Sequence, residues 1–213
     1  MNAPDLSVLT LPTLLVFAAL ATLSMLAITV SFYKALQFSR LGVGQFGTAE
    51  GILETWLGGD ADGAITQAAG RRTVLSHVLQ SVFSGLKAKP GTPDFAEELG
   101  RQTAMTQLAT LSRRMRILEV VVQGAPMLGL LGTVIGMIDA FSTLAGADGT
   151  VDPSLLASGI WTALTTTAAG LAIALITYFV ASWLESRIDG ERQAMETLIS
   201  AAIHGRVDQE VAA

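Results

Sequence analysis

Charged residues are missing from three long stretches of the chain, which are otherwise rich in apolar side chains. No Asp, Glu, Lys or Arg occurs at positions 6–33, 120–138 or 153–184, which gives uncharged runs of 28, 19 and 32 residues. A helix needs about 20 predominantly apolar residues to cross the hydrocarbon core of a bilayer. The sequence therefore predicts an all-α integral membrane protein with three transmembrane helices. The first run has no basic residue before it and is too long for a signal peptide, so we predict a retained helix.

Basic residues flank these predicted spans unevenly. Ten of the 13 lie between the first and second spans, and the other three follow the third. Cytoplasmic segments are enriched in Lys and Arg, so these two segments are predicted to be cytoplasmic and the N-terminus periplasmic. The predicted divisions are an outer N-terminus with helix 1 (1–33), a cytoplasmic helical segment (34–116), helix 2 (117–142), a short periplasmic loop (143–153), helix 3 (154–184) and a cytoplasmic helical tail (185–213).

The predicted cytoplasmic segment contains turn-like sequences at 58–63 and 89–94. Between them, apolar residues repeat at helical spacing from Val74 to Phe83, which predicts a short amphipathic helix. After Pro93 no strong break occurs before Gly124, so we predict one long helix that enters the second span. The third span continues into a tail of helix-favouring residues in which Gly190 is the weak point.

Composition excludes several classes of protein. The chain is 51% hydrophobic and 15% charged, with a net charge of −5, which argues against a cytosolic enzyme and against a nucleic-acid-binding protein. It has no cysteine and two histidines, so no disulfide, thiolate nucleophile or His-rich metal cluster is available. We predict no catalytic residue, no metal site and no cofactor.

Small residues form a stripe along each of the last two spans. Their members are Ala125, Gly129, Gly132, Gly136 and Ala140 in the second span, and Gly159, Ala163, Thr167, Gly170 and Ala174 in the third. In lipid, such stripes let helix backbones approach closely. Tight packing alone explains the stripes as well as contact with a moving partner does, and both interpretations stay open at this point.

Hydroxyl groups lie close to these stripes. Thr133 is in the second span, and Thr162, Thr165, Thr166 and Thr167 are in the third. A single threonine usually bonds a carbonyl of its own helix. Five threonines on two neighbouring spans are more suggestive, and we interpret them as lining a hydrated path or as receiving a polar group from a partner helix.

Within the second span, acidic residues occur only at its two ends. Glu119 and Asp139 are weak candidates for the mouths of a pathway, although snorkelling to an interface explains them more simply. No ionisable group lies in the middle of any span. Because a self-contained proton relay places such a group there, we expect a partner to supply the carboxyl group.

The sequences APMLGLLGTVIGMIDAF (125–141) and SGIWTALTTTAAGLAIAL (158–175) resemble the ExbB/TolQ/MotA proton-channel family. Three spans with an outer N-terminus resemble its ExbB/TolQ branch. The resemblance implies a homopentameric ring in the bacterial inner membrane around single-span partners of the ExbD/TolR type, which carry a transmembrane aspartate. Proton passage would then drive rotation that energises outer-membrane transport or envelope maintenance through a TonB- or TolA-type protein.

The resemblance also implies roles for individual residues. Thr133 and Thr167 match polar residues that face the family's pore, and Thr166 matches a second threonine of sodium-driven relatives. We favour H⁺ as the permeant ion, and the match of Thr166 keeps Na⁺ as the alternative. Thr162 stands where many ExbB/TolQ members have glutamate, so a ring of five carboxylates is not expected here. The residues assigned to partner-helix packing are Gly129, Gly132, Gly136, Ala163, Gly170 and Ala174. The competing hypothesis is a passive membrane scaffold whose stripes serve assembly alone.

Overall fold

The computed structural model describes residues 11–145 and 153–205, and these residues form seven helices. They are α1 (Leu11–Leu41), α2 (Phe46–Leu57), α3 (Ala61–Ala69), α4 (Val74–Ala88), α5 (Pro93–Ser112), α6 (Met115–Ala145) and α7 (Pro153–His204). No strand occurs in the described ranges. The predicted all-α class is confirmed.

Three helices of the described residues, α1, α6 and α7, contain apolar stretches long enough to cross a membrane. Each has a buried stripe and, on its other faces, large apolar side chains that are exposed. Met25, Leu130 and Phe179, for example, are 73%, 62% and 63% exposed. Apolar surface of this extent is unfavourable in water and is accommodated by lipid. The prediction of three helices that can span a membrane is confirmed by length and composition.

The described residues divide into two compact units. Unit 1 contains the residues up to Phe32 together with Arg114–Ser182, and unit 2 contains Tyr33–Arg113 together with the residues from Trp183 onwards. In unit 1, Val16 and Leu20 of α1 pack with Ala125 of α6 and Ala174 of α7. This cluster brings the three apolar helices of unit 1 together.

Unit 2 is built around α4, the amphipathic helix predicted from its apolar spacing. Its buried side chains include Val74, Leu75, Val78, Leu79, Val82 and Phe83. Thr73 caps its N-terminus by accepting a hydrogen bond from the Ser76 N–H. Trp56 of α2 stacks on Phe83 with 4.3 Å between ring centroids, and its indole N–H donates to the Ala202 carbonyl of α7. These contacts tie α2, α4 and the end of α7 together.

The turn predicted at 58–63 is shorter than expected. The chain turns at 58–60, and α3 begins at Ala61 because the Asp60 side chain accepts a hydrogen bond from the Gly63 N–H. An aspartate at this position caps the first turn of a helix. The turn predicted at 89–94 ends where Pro93 opens α5, since proline favours the first helical turn.

The prediction of one continuous helix from Pro93 into the second span is wrong. Helix α5 ends at Ser112 and α6 begins at Met115, with Arg114 between them in a left-handed conformation of φ 73°. Two side chains of α1 bond the last carbonyls of α5. The ammonium group of Lys34 donates to the Leu111 carbonyl, and the Gln37 amide donates to the Thr110 carbonyl at 3.3 Å. These donors satisfy carbonyls that would otherwise lack partners at a helix end.

Helix α7 runs without a break through Gly190, as the sequence predicts for the tail. It is 52 residues long. Buried residues follow one another along it at steps of three and four positions: Ala163, Thr166, Gly170, Ala174, Thr177, Ala181, Leu184, Ile188, Glu191, Met195, Leu198 and Ala202. Gly190 lies beside this stripe. Its cost of about 1 kcal/mol in helix propensity is offset by the packing of the stripe residues that precede and follow it along the helix.

Replacement of Lys34 by methionine is expected to destabilise unit 2. The side chain of Lys34 is fully buried, and its loss leaves the Leu111 carbonyl without this donor. We expect the free energy of unfolding to fall by about 1–3 kcal/mol. Thermal unfolding followed by circular dichroism in detergent measures the change. The matched control is Lys87→Met, whose side chain is 59% exposed in a surface pair with Asp62 and should cost about 0–1 kcal/mol. Equal losses in the two variants would contradict the assigned role of Lys34.

Candidate functional site

Helices α6 and α7 approach each other most closely at glycine positions in unit 1. A Cβ atom on Gly136 would lie 2.9 Å from the Cβ of Ala163, and one on Gly159 would lie 2.9 Å from the Cβ of Ala140. A Cβ on Gly170 would overlap the Ala125 carbonyl oxygen. No larger side chain fits at these positions without displacing a backbone. The small residues are therefore required by the helix contact itself.

Two threonine hydroxyls of α7 converge on one carbonyl oxygen of α6. The Thr167 hydroxyl donates to the Gly129 carbonyl at 2.9 Å. The hydroxyl of Thr166, which is fully buried, lies 3.2 Å from the same oxygen and 2.6 Å from the Ala163 carbonyl of its own helix. Side-chain hydrogen bonds of this kind stabilise helix association in lipid. The Gly129 carbonyl is thus the polar centre of the α6–α7 contact.

Glycine at position 132 makes room for this polar centre. A Cβ atom there would collide with the side chain of Thr166, and one on Gly129 would lie 2.9 Å from the Thr166 carbonyl oxygen. The two glycines therefore allow the threonines of α7 to reach the backbone of α6. The stripe and the hydroxyl groups, which the sequence suggested separately, form one site.

The other two threonines assigned to the ion pathway bond within their own helices. Thr133 donates to the Leu130 carbonyl at 2.6 Å, and Thr162 donates to the Ser158 carbonyl at 3.0 Å. Thr165, which is exposed, likewise bonds the Trp161 carbonyl. The structure thus brings Thr166 and Thr167 together, while the pathway roles of Thr133 and Thr162 stay predictions.

Thr133 lies in a shallow groove on the surface of α6. The groove is lined by Thr133, Val134, Met137, Ile138 and Phe141. It is apolar except for the half-buried hydroxyl group of Thr133. A helix from another chain that packs here would meet this one polar group.

The residues assigned to partner-helix packing have contacts within the chain. Gly129, Gly132, Gly136, Ala163 and Gly170 lie in the α6–α7 contact, and Ala174 lies in the core of unit 1 with Val16 and Leu20. These contacts within the chain are enough to explain why the residues are small. Their additional contact with a partner helix stays a prediction.

The two acidic residues at the ends of the second span differ in exposure. Glu119 is exposed, whereas Asp139 is half-buried and its backbone carbonyl accepts from the Ser142 hydroxyl at 2.9 Å. Their proposed role as pathway mouths stays a prediction. Among the described residues, no group of three or more His, Cys, Asp or Glu side chains is arranged to hold a metal ion.

Two fully buried ionisable residues of unit 2, Lys34 and Glu191, were not predicted from the sequence. For Lys34 the sequence offers no signal, because the Leu111 carbonyl that it bonds at the end of α5 is 77 positions away. Glu191 has a signal, because it occupies an apolar position of the stripe on α7, between Ile188 and Met195. An acidic residue at a core position of a helix points to a buried carboxyl group.

Comparison with known proteins assigns the chain to a family. Residues 69–197 match the model of the MotA/TolQ/ExbB proton channel family. The match includes α6 and most of α7, and the chain belongs to this family. The resemblance inferred from the two span sequences is confirmed at the level of the family. Together with the three apolar helices, family membership supports a multi-pass inner-membrane protein.

Several curated relatives carry ExbB names. A Synechocystis protein named biopolymer transport protein ExbB-like 1 is 30% identical over 76% of this chain, and the match spans 63% of that relative. An ExbB homologue of Methanothermobacter thermautotrophicus is 33% identical over 55% of this chain and 44% of its own length. Biopolymer transport protein exbB1 of Vibrio cholerae is 46% identical over 29% of this chain and 27% of its own length. The chain thus matches less than two thirds of the length of these relatives.

Replacement of Gly170 by alanine is expected to push α6 and α7 apart. The added methyl group would overlap the backbone of Ala125, which cannot rotate away as a side chain can. We expect a loss of about 1–3 kcal/mol in stability, measured by thermal unfolding in detergent. Gly124→Ala is the matched control, because the nearest atom to its added methyl would be the Leu23 Cδ1 at 3.8 Å, an ordinary contact. Equal stability of the two variants would show that the glycine contact is not tight.

Proposed function

We propose that this chain is the ion-conducting ring subunit of an inner-membrane motor that uses the proton motive force. The observation that supports the proposal is the α6–α7 contact, in which the Thr166 and Thr167 hydroxyls converge on the Gly129 carbonyl. It lies in spans that contain no Asp, Glu, Lys or Arg at 120–138 and 153–184. The family to which the chain belongs is described as a proton channel family.

The missing acidic group indicates how such a site would work. A proton that crosses the membrane needs a group that binds and releases it, and these spans provide hydroxyl groups but no carboxyl. We therefore propose an ExbD/TolR-type partner with one transmembrane helix and an aspartate. Burial in a low-dielectric environment favours the neutral form of that aspartate, so protonation would allow it to move past apolar residues of the ring. Hydroxyl groups of the ring would bond its ionised form.

Family membership and the distribution of basic residues support a proposed arrangement of the complex. We propose a homopentamer of this chain around the partner helices, with the N-terminus in the periplasm and the C-terminus in the cytoplasm. The motor would energise outer-membrane transport or envelope maintenance through a TonB- or TolA-type protein. H⁺ is the proposed permeant ion, and Na⁺ is the alternative.

Ion flux into liposomes tests this function. The liposomes contain this chain together with its single-span partner, and H⁺ and Na⁺ gradients are applied in parallel. We expect H⁺ flux that is lost when the partner's transmembrane aspartate is replaced by asparagine, because the amide cannot bind and release a proton. Flux that persists in the asparagine variant would contradict a proton pathway through that group. Flux driven only by a Na⁺ gradient would support the motor function and would identify Na⁺, in place of H⁺, as the permeant ion.

A double variant, Thr133→Val with Thr167→Val, tests the pathway residues of this chain. Valine preserves the shape of threonine and removes the hydroxyl group, so the complex should still assemble. We expect flux to fall about tenfold or more, which corresponds to the loss of about 1.4 kcal/mol of stabilisation for the moving charge. Thr165→Val is the control, because the family resemblance assigns Thr165 no pathway role and its exposed hydroxyl bonds the Trp161 carbonyl of its own helix. A fully active double variant would show that Thr133 and Thr167 are not part of the ion pathway.

The passive scaffold is the second candidate function. The observation in its favour is that the small residues of the two stripes on α6 and α7 all have contacts within the chain. A scaffold would lose assembly on Gly136→Leu, whereas removal of the threonine hydroxyls would affect it only through the α6–α7 contact that Thr167 stabilises. The double valine variant therefore separates the two candidates when the complex still assembles, because a loss of flux from an assembled complex is expected only for an ion pathway.

A further inference from the structure

A buried carboxyl group in unit 2 lies outside every role assigned so far. Glu191 is 0% exposed, and its Oε1 accepts a hydrogen bond from the Gly44 N–H. Among the described residues, its Oε2 has no hydrogen-bond partner. Buried polar atoms without partners are rare and costly, so this oxygen calls for a physical explanation. Protonation lowers the cost of burying this carboxyl group, and a cationic group that reaches the oxygen in another state of the protein would give it a partner.

The loop that contacts Glu191 joins α1 to α2. Gly42 and Gly44 have φ values of 63° and 90°, a conformation that glycine adopts without strain. A Cβ atom on Gly42 would collide with the side chain of Thr73, so the loop is closely packed against the start of α4 as well. The hydrogen bond from Gly44 thus fixes a tightly turned loop to α7.

Arg187 is the charged side chain that lies next to this hydrogen bond. Its Nη1 would lie 2.9 Å from a Cβ on Gly44, and its guanidinium group lies 5.4 Å from the centroid of the Trp183 ring. Arg187 and Glu191 are four positions apart on α7 and therefore neighbours on one helix face. They form no salt bridge among the described residues, although each lies beside Gly44. Arg187 is thus within reach of the unpaired oxygen.

The other elements contact the loop and the adjacent turn of α7 through uncharged side chains. The loop from Gly42 to Gln45 contains no ionisable residue, and Thr73 is the contact from α4. Phe46, the first residue of α2, lies against Gly190. Arg187 is therefore the charged group that these contacts bring to the loop beside Glu191.

We propose that Glu191 and Arg187 form a pH-sensitive latch on the loop from Gly42 to Gln45. With Glu191 neutral, the carboxyl group bonds Gly44 and the guanidinium group of Arg187 stays on the Trp183 ring, as in this structure. When Glu191 loses its proton, the buried charge draws Arg187 from Trp183 to the second carboxylate oxygen. The loop then contacts an ion pair in place of a neutral acid. The latch makes the contacts of α1, α2 and α7 in unit 2 depend on pH.

The direction of the pH dependence follows from burial. Desolvation raises the pKa of Glu191 above its ordinary value of 4.5, and the hydrogen bond from Gly44 lowers it in part. The folded state therefore holds this proton more tightly than the unfolded chain does. The resulting stabilisation is present at low pH and is lost as the pH rises through the folded pKa. The neutral latch accordingly persists to a higher pH than an exposed glutamate would.

The fluorescence of Trp183 tests the latch. Trp56→Phe and Trp161→Phe leave Trp183 as the only tryptophan of the full chain, and its emission is titrated in detergent from about pH 4 to about pH 9. We expect one transition with a midpoint above 4.5, as Arg187 leaves the indole ring. The transition should be absent in Glu191→Gln and unchanged in Glu185→Gln, which replaces an exposed acid close to Trp183.

Arg187→Gln keeps the test decisive if Glu191→Gln fails to fold. This variant removes the cation that moves, so the transition of Trp183 should disappear while the helical circular dichroism is retained. A midpoint at or below 4.5, or a transition that persists in Arg187→Gln or in a folded Glu191→Gln, would overturn the latch. Loss of the transition in Glu185→Gln would assign the fluorescence change to this exposed acid and would also overturn the latch.

Discussion

Close approach of the α6 and α7 backbones is the constraint on which the membrane part of this protein depends. Lipid tails are as apolar as leucine, so these helices gain little by hiding apolar side chains from their surroundings. Contact between backbones and hydrogen bonds across the interface must hold them together instead. Gly136 and Gly170 permit the approach, and Gly129 supplies the carbonyl that receives two hydroxyl groups. Packing and polar chemistry are therefore inseparable at this site.

The stripe on α7 shows how one helix serves two environments. Its buried positions keep the same spacing of three and four residues from Ala163 to Ala202. In unit 1 they are Ala, Thr and Gly, whereas in unit 2 they are mainly Leu, Ile and Met. Small residues suit contact between backbones in lipid, and large ones suit a core that excludes water. Glu191 is the exception in unit 2, which is why its carboxyl group stands out.

Much of the fold could be predicted because it follows from properties that are local in sequence. The absence of charge over 28, 19 and 32 residues indicates spans directly, and periodicity indicates α4. The break at Arg114 could not be predicted, because it involves donors on Lys34 and Gln37 that are distant in sequence. The site was predictable as a group of residue types, but not in its pairing. The sequence assigned Thr133 and Thr167 the same role, whereas of these two only Thr167 bonds across the interface.

In the proposed motor, the pathway threonines meet the aspartate of a partner helix. Disulfide cross-linking measures this contact directly, because the chain has no cysteine of its own. Cysteine is placed at Thr133, in the groove of α6, and in place of the partner's transmembrane aspartate. We expect an efficient cross-link at this position and none from Met25→Cys, which lies on the exposed face of α1. Cross-linking from Met25 with none from Thr133 would contradict the proposed contact.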